Sequence, residues 1–283
     1  MSVFNSAPFL PQAIESILAQ SYGDFEFLIV NDGSTDGSEA IIDSYAARDP
    51  RIVAIHQDNH GFVWSLNRTI KMARGRWIAR MDSDDVSCPT RFARQMEFLR
   101  THEHVGILGT SAHLIDSKGA IQKRAPIKRP VRHDDIVANF KEGVNMLHPS
   151  IMVDAKLMRA AGGYRAPFRF AQDYDLYLRL SQMTQMANLD EHLLHYRVHS
   201  DQVSTRHLIG QTLSAVVAWL SHEARLSGRP DPLDLLATLP ELGTLDTLFA
   251  IEGADSYARR RIVERSLYAP AVLAGDAFNV LIG

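Results

Sequence analysis

The chain has 283 residues, 46% of them hydrophobic, with a formal net charge of −3; it can bury one large core, or one core plus an appendage, and it lacks the basic excess of a nucleic-acid binder. Its single cysteine, Cys88, excludes an intrachain disulfide and a cysteine-rich zinc site and fits a reducing, cytoplasmic setting. The N-terminal residues show no signal-peptide pattern, and Leu208 to Leu220, charge-free but short and with apolar residues at helical spacing, reads as an amphipathic helix rather than a membrane span.

The first half alternates strand and helix. Met1 to Phe4 reads as the tail of a strand, Pro8 to Gln20 as a helix with Leu10, Ile14, Ile17 and Leu18 on one face, and Phe25 to Val30 as a buried strand. The polar turn 31–37 follows, with Asp36 and Glu39 spaced as a capping box for a helix through Ala47. Ile52 to Ile55 is a third strand, Phe62 to Ala73 a third helix and Trp77 to Met81 a fourth strand. This order predicts an α/β fold whose four strands form a parallel sheet covered by helices.

The later chain changes character. A helix is expected from Pro89 to Arg100, then a hairpin about Asp116 to Gly119 and a basic, proline-punctuated loop from Lys123 to Arg132. A short strand near Ile151, helices from Asp154 and over Asp173 to Met183, and a strand over Leu193 to Val198 follow. Beyond His199 the pattern is helical, with breaks at Gly228 to Pro232, Pro240 to Gly243 and Pro270.

Ligands of open α/β sheets bind beyond the carboxyl ends of the strands. Three polar clusters fall there: Asn31 to Asp36, Asp58 to Gly61, and Asp82-Ser83-Asp84-Asp85. Three carboxylates within four residues repel one another unless a cation sits among them, and a divalent metal bridging phosphates is the usual occupant. Each residue also has a structural reading: Asp32-Gly33 as a plain turn, Asp85 as a cap, Asp175 as a first-turn carboxylate favoured by the helix dipole, and His148 as a buried, satisfied histidine.

The ordered set of motifs resembles glycosyltransferase family 2, the inverting nucleotide-sugar transferases of GT-A fold. It comprises Ser2-Val3-Phe4-Asn5, Ser16 to Ser21, Asn31-Asp32-Gly33-Ser34, Asn59-x-Gly61 with Leu66-Asn67, Gly75-x-Trp77 to Asp85, and Pro89-x-Arg91-Phe92 with Gln95. His148-Pro149-Ser150, Gly162-Gly163-Tyr164, Gln172 to Leu176 and Tyr196-Arg197-Val198-His199 complete it.

The resemblance implies a mixed, mostly parallel GT-A domain over residues 1–205, with a nucleotide-sugar half to about 105 and an acceptor half from 106, and a helical extension over 206–283. It implies a UDP-sugar donor held by Asn5, Asp32, Asn59, Gly61, Asn67, Asp82 and Ser83. Mn2+ or Mg2+ would be held by Asp84 and His199, the imidazole favouring Mn2+. Asp173 would be the general base, with Asp175 in reserve, although the family more often has Glu where Gln172 stands. The implied acceptor is a hydroxyl of a cell-surface polysaccharide or lipid-linked glycan precursor, which suggests peripheral contact with the inner membrane face. The apolar tail, Ile262-Val263 and Leu267 to Ile282, could pack on the core, form a homodimer contact or lie at a membrane. Relatives carry further apolar residues before the segment matching Ser2 to Asn5, so the natural protein is expected to begin upstream of Met1.

Two rival readings remain open. A sugar nucleotidyltransferase would need a Gly-rich, basic loop after the first strand to hold a triphosphate, and Asn5-Ser6-Ala7-Pro8 has neither. A catalytically degenerate nucleotide-sugar-binding or scaffolding subunit is kept alive by Gln172 and the short first strand.

Overall fold

The computed structural model describes residues 1–199 and 207–267. The chain divides into two compact units, one of Met1–Gly163 with Leu180–His199, the other of Tyr164–Arg179 with the described part of Ser200–Gly283.

In the first unit, β1 (Ser2–Val3), β2 (Phe27–Asp32) and β3 (Ile52–Gln57) lie side by side and parallel. All six residues of β2 are buried, which is why its first four, Phe27 to Val30, form an unbroken apolar run rather than an alternating pattern. The crossovers contain α1 (Leu10–Leu18) and α2 (Ser38–Ala46), and α3 (Phe62–Met72) follows β3. Helix α1 buries Leu10, Ala13, Ile14 and Ile17, a single stripe at helical spacing, and its Pro11 sits in the first turn where no amide is needed.

A second, mixed sheet has the order β4-β7-β6-β8-β5. It comprises β4 (Trp77–Ala79), β5 (Val86–Ser87), β6 (Val105–Ile115), β7 (Met152–Asp154) and β8 (Gln185–Arg197). The fourth strand therefore does not extend the parallel ladder. β4 pairs antiparallel with β7, and the bonds from Arg80 to Ile151 O and from Ala155 to Arg76 O prolong that pairing on both sides. Strand β6 runs parallel to β8 over most of its length, so β8 begins eight residues before the expected Leu193. Helices α4 (Arg91–Thr101), α5 (His133–Ala138) and α6 (Ala155–Ala160) complete the unit, α6 being capped by the Asp154 carboxylate. One core joins Ile14, Ile17, Ile29, Phe92, Leu99, Leu108, Ala112 and Leu194. The architecture is α/β with a parallel sheet, flanking helices and C-terminal helices, as the sequence implied.

The second unit contains nearly all of α7 (Gln172–Leu180), with α8 (Leu208–Leu226), α9 (Leu245–Phe249) and α10 (Ala254–Leu267). Helix α10 packs on α8, burying Ile262, while residues 268–282 of the apolar tail lie outside the described residues. In α8, the Thr212 and Ser214 hydroxyls bond back to the carbonyls of Leu208 and Gly210, which masks their polarity. Among the described residues, no helix is long and apolar enough to cross a membrane.

Candidate functional site

The turns after β1 and β2 form one hydrogen-bonded piece. Asn5 has φ 49°, a left-handed conformation that Asn tolerates better than most residues. Its Oδ1 accepts the Thr35 amide at 2.8 Å, and its own amide donates to Ser34 Oγ at 3.0 Å. The Ser6 and Ala7 amides donate to Ser38 Oγ and Asp36 Oδ2 at 3.1 and 2.8 Å. Ser6 Oγ and Ser83 Oγ, 2.8 Å apart, tie this piece to the acidic segment. The expected Asp36–Glu39 capping box does not form. Asp36 Oδ1 accepts the Ser38 amide and hydroxyl instead, and Glu39 accepts the Asn31 amide group at 3.1 Å.

Asp32, at the end of β2, is buried and holds the next turn in place. Its Oδ1 accepts Gln57 Nε2 at 2.6 Å and the His60 amide at 3.0 Å, and its Oδ2 accepts the Gly61 amide at 2.9 Å. A carboxylate has about four acceptor positions, so three are used within the protein. Gly33 (φ +72°) lies so close to this turn that a Cβ would fall 2.8 Å from the Asn59 nitrogen. The turns carrying Asn5, Asp32, Asn59 and Gly61 are thus interlocked through backbone amides.

The acidic segment leaves β4 and gathers three carboxylates: one oxygen from each of Asp82, Asp84 and Asp85 lies within 4.8 Å of the others. Asp82 pairs with Arg80, a buried guanidinium that also lies over the Phe62 ring. Asp84 Oδ2 lies 3.1 Å from His199 Nε2. Burial, and then the Asp82 charge, raise the Asp84 pKa, with His199 opposing. Burial and both neighbouring carboxylates push Asp85 well above the usual carboxylate range, partly offset by the Arg197 amide and by Arg80. Asp85 Oδ2 is buried and has no hydrogen-bond partner among the described residues. Three converging carboxylates, with the Asp84 and Asp85 pKa values raised, a vacant buried oxygen and a facing imidazole suit a divalent cation that takes oxygen and nitrogen donors.

Other motif residues lie outside this cluster. Asn67 of α3 packs against the glycine turn, where a Cβ on Gly163 would meet its Oδ1 at 2.5 Å. Asp173 belongs to the second unit. It lies in the first turn of α7, just after Ala171 (φ 52°), and its Oδ1 accepts the Tyr174 amide at 2.9 Å. Asp175 is wholly buried, bonded to Arg165 and Arg179, which leaves it no room to act as a base. Gln20, Arg91 and Gln95 are internal braces. Gln20 spans Ser16, Ser87 and Cys88; Arg91 donates to the Arg80 and Pro149 carbonyls; Gln95 donates to those of Leu108 and Ser150.

Two residues with no role assigned from the sequence matter here. Arg80 interrupts the apolar run Trp77 to Met81 just beyond β4, and a lone buried charge in such a run is itself a sign that a counter-charge waits nearby. Arg197, almost inaccessible, donates its amide to Asp85 Oδ1, Nε to the Asp84 carbonyl, Nη1 to the Asp116 and Ser117 carbonyls, and Nη2 to Gln12 Oε1. His199, two residues past the end of β8, is thereby held beside the acidic segment.

Comparison with known proteins places the chain in a family. Residues 1–156 match Glycosyl transferase family 2. The putative glycosyltransferase EpsE of Bacillus subtilis is 36% identical over 211 residues, spanning 73% of this chain and 74% of that protein. The O-antigen biosynthesis glycosyltransferase WbnJ of Escherichia coli is 31% identical over 206 residues, spanning 71% and 78%. Among solved structures, Staphylococcus aureus TarS 1–349 in complex with UDP-GlcNAc superposes with a TM-score of 0.61 at 16% identity, covering 93% of this chain and 81% of that one, a likeness of fold. With its GT-A fold and these relatives, the chain belongs to glycosyl transferase family 2 and is a glycosyltransferase.

Proposed function

We propose that this enzyme transfers a sugar, with inversion, from a UDP-sugar to a hydroxyl of a cell-surface polysaccharide or lipid-linked glycan precursor at the inner face of the cytoplasmic membrane. The observation that carries the donor half of this reading is the meeting of Asp82, Asp84, Asp85 and His199 beside the interlocked turns of Asn5, Asp32 and Asn59. Asp84 and His199 would hold Mn2+ or Mg2+, which when bound offsets negative charge on the departing diphosphate. Asn5, Asp32, Asn59, Gly61, Asp82 and Ser83 would orient the nucleoside, chiefly through the backbone they fix, and Asn67 would support them.

Inversion needs one base. Asp173 would take the proton of the acceptor hydroxyl as that oxygen bonds to the anomeric carbon and the carbon–oxygen bond to the diphosphate breaks. Asp173 would be held for this task by α7, whose Asp175 is fixed between two arginines. The name of WbnJ, an O-antigen enzyme, supports a polysaccharide acceptor, and the UDP-GlcNAc complex of TarS supports a UDP-linked donor.

The test is UDP release from a panel of nucleotide sugars with Mn2+, Mg2+ or chelator. One donor should be turned over, the rate should require the metal, and Asp84→Asn should abolish it. Metal-independent turnover, or turnover of a GDP-sugar alone, contradicts the reading.

A further inference from the structure

From Ser117 to His133 the chain carries Lys118, Lys123, Arg124, Lys128, Arg129 and Arg132 and not one acid. The rest of the chain has 24 basic against 33 acidic residues, a balance of −9. A chain that is acidic on balance elsewhere has placed six cations in one stretch of 17 residues. Five of the six are exposed.

The backbone explains how they are displayed. The stretch turns at Asp116 to Ala120 and runs back along β6, with Ile121 opposite Ile115 and Ile127 opposite Ala112. The Gln122 amide still reaches the Leu114 carbonyl at 2.8 Å. Between the two bridges β6 has two residues and the returning strap has five. Regular antiparallel pairing needs equal numbers, so three residues are surplus and the chain bulges where Lys123 and Arg124 stand. Pro126 and Pro130 restrict the backbone beyond. Ile121 and Val131 are 59% and 42% exposed, so two apolar side chains stand among the cations. The strap is not a loose tail: Arg197 Nη1 holds its Asp116 and Ser117 carbonyls.

Exposed cations interleaved with exposed aliphatic side chains, on a backbone pinned at both ends, match the chemistry of an anionic bilayer surface. We propose that the strap 117–132 docks this enzyme on anionic phospholipid, its cations reading the headgroup phosphates while Ile121 and Val131 enter the interfacial layer. This surface adjoins the segment that Arg197 shares with Asp84, and docking would present that part of the first unit to a membrane-borne acceptor.

The experiment is co-sedimentation of the full chain with vesicles of phosphatidylglycerol and phosphatidylcholine, against phosphatidylcholine alone, with no sugar donor present. Its outcome is therefore independent of the proposed reaction. The wild type should sediment with the anionic vesicles only, and less as salt rises. Lys123→Gln/Arg124→Gln/Lys128→Gln should bind on the order of a hundredfold more weakly, at roughly fivefold per cation. A control with two exposed cations removed elsewhere, Arg100→Gln/Lys141→Gln, should bind as the wild type does. Circular-dichroism melts check that each variant folds. Equal binding to both vesicle types, full binding by the triple variant, or an equal loss in the control would each overturn the proposal.

Discussion

Arg197 and Asp85 lie 112 residues apart in sequence, yet the Arg197 amide donates to Asp85 Oδ1 at 2.8 Å. This bond locks the end of β8 to the acidic segment, and it sets His199 against Asp84. Asp85 accepts through one oxygen while both neighbouring carboxylates disfavour its charge. Asp85→Asn keeps the acceptor and removes the charge, so in chelator at pH 7 it should melt at or above the wild-type temperature. Asp85→Ala strands a buried amide and should cost about 1–3 kcal/mol. Urea melts of the two variants check the order.

Gly33 and Gly37 offer a matched pair. Both have positive φ, but a Cβ on Gly33 would lie 2.8 Å from the Asn59 nitrogen, while one on Gly37 meets nothing within 4 Å. Gly37→Ala should cost roughly 1 kcal/mol of backbone strain. Gly33→Ala should cost more and should also weaken nucleotide binding, because the Asn59 turn must shift. Melting temperatures and UDP titrations separate the two effects.

Two carboxylates of α7, two residues apart, should behave oppositely. Asp175 is buried between Arg165 and Arg179, and Arg165 also bonds Asp231. Asp175→Ala removes the buried charge that Arg165 and Arg179 share, leaving Arg165 to Asp231, and should destabilise the second unit by about 3–5 kcal/mol. Asp173→Ala removes the acceptor of the Tyr174 amide and a first-turn charge and should cost about 1 kcal/mol. Denaturant unfolding followed in both variants gives the comparison.

Acid should loosen the second unit. Burial, and then the Arg225 charge, lower the His222 pKa to about 4. The folded state therefore binds fewer protons than the unfolded one between about pH 6.5 and 4, and stability falls as pH drops through that window. His222 alone accounts for a loss on the order of 2–3 kcal/mol by pH 4.5. His222→Gln should flatten that part of the curve, read from urea melts at pH 7.0, 5.5 and 4.5.

Much of the first unit was legible in the sequence because its elements carry their signals locally. Ile14 and Ile17 recur at helical spacing, and Phe27 to Val30 form a run that only a doubly covered strand needs. The pairing of β4 was not legible, since three residues, Trp77 to Ala79, carry no mark of which strand they will join. The capping box failed for a related reason: Asp36 and Glu39 have the right spacing, but Ala7, 29 residues away, competes for Asp36. The acidic segment announced itself by charge density. Its buried support, Arg80 and Arg197, did not, because the partners of an arginine are set by the fold rather than by its neighbours in sequence. Asp32 shows the same limit: Asp-Gly marks a turn, but only the structure shows three donors converging on the carboxylate.

The most direct test of the proposed reaction is the rate of UDP release by Asp173→Asn relative to wild type, with donor binding titrated on the same samples in Mn2+. The account predicts unchanged donor affinity and a rate lower by about 10²–10⁴-fold. A wild-type rate in Asp173→Asn, or a loss of rate explained wholly by lost donor binding, would contradict it.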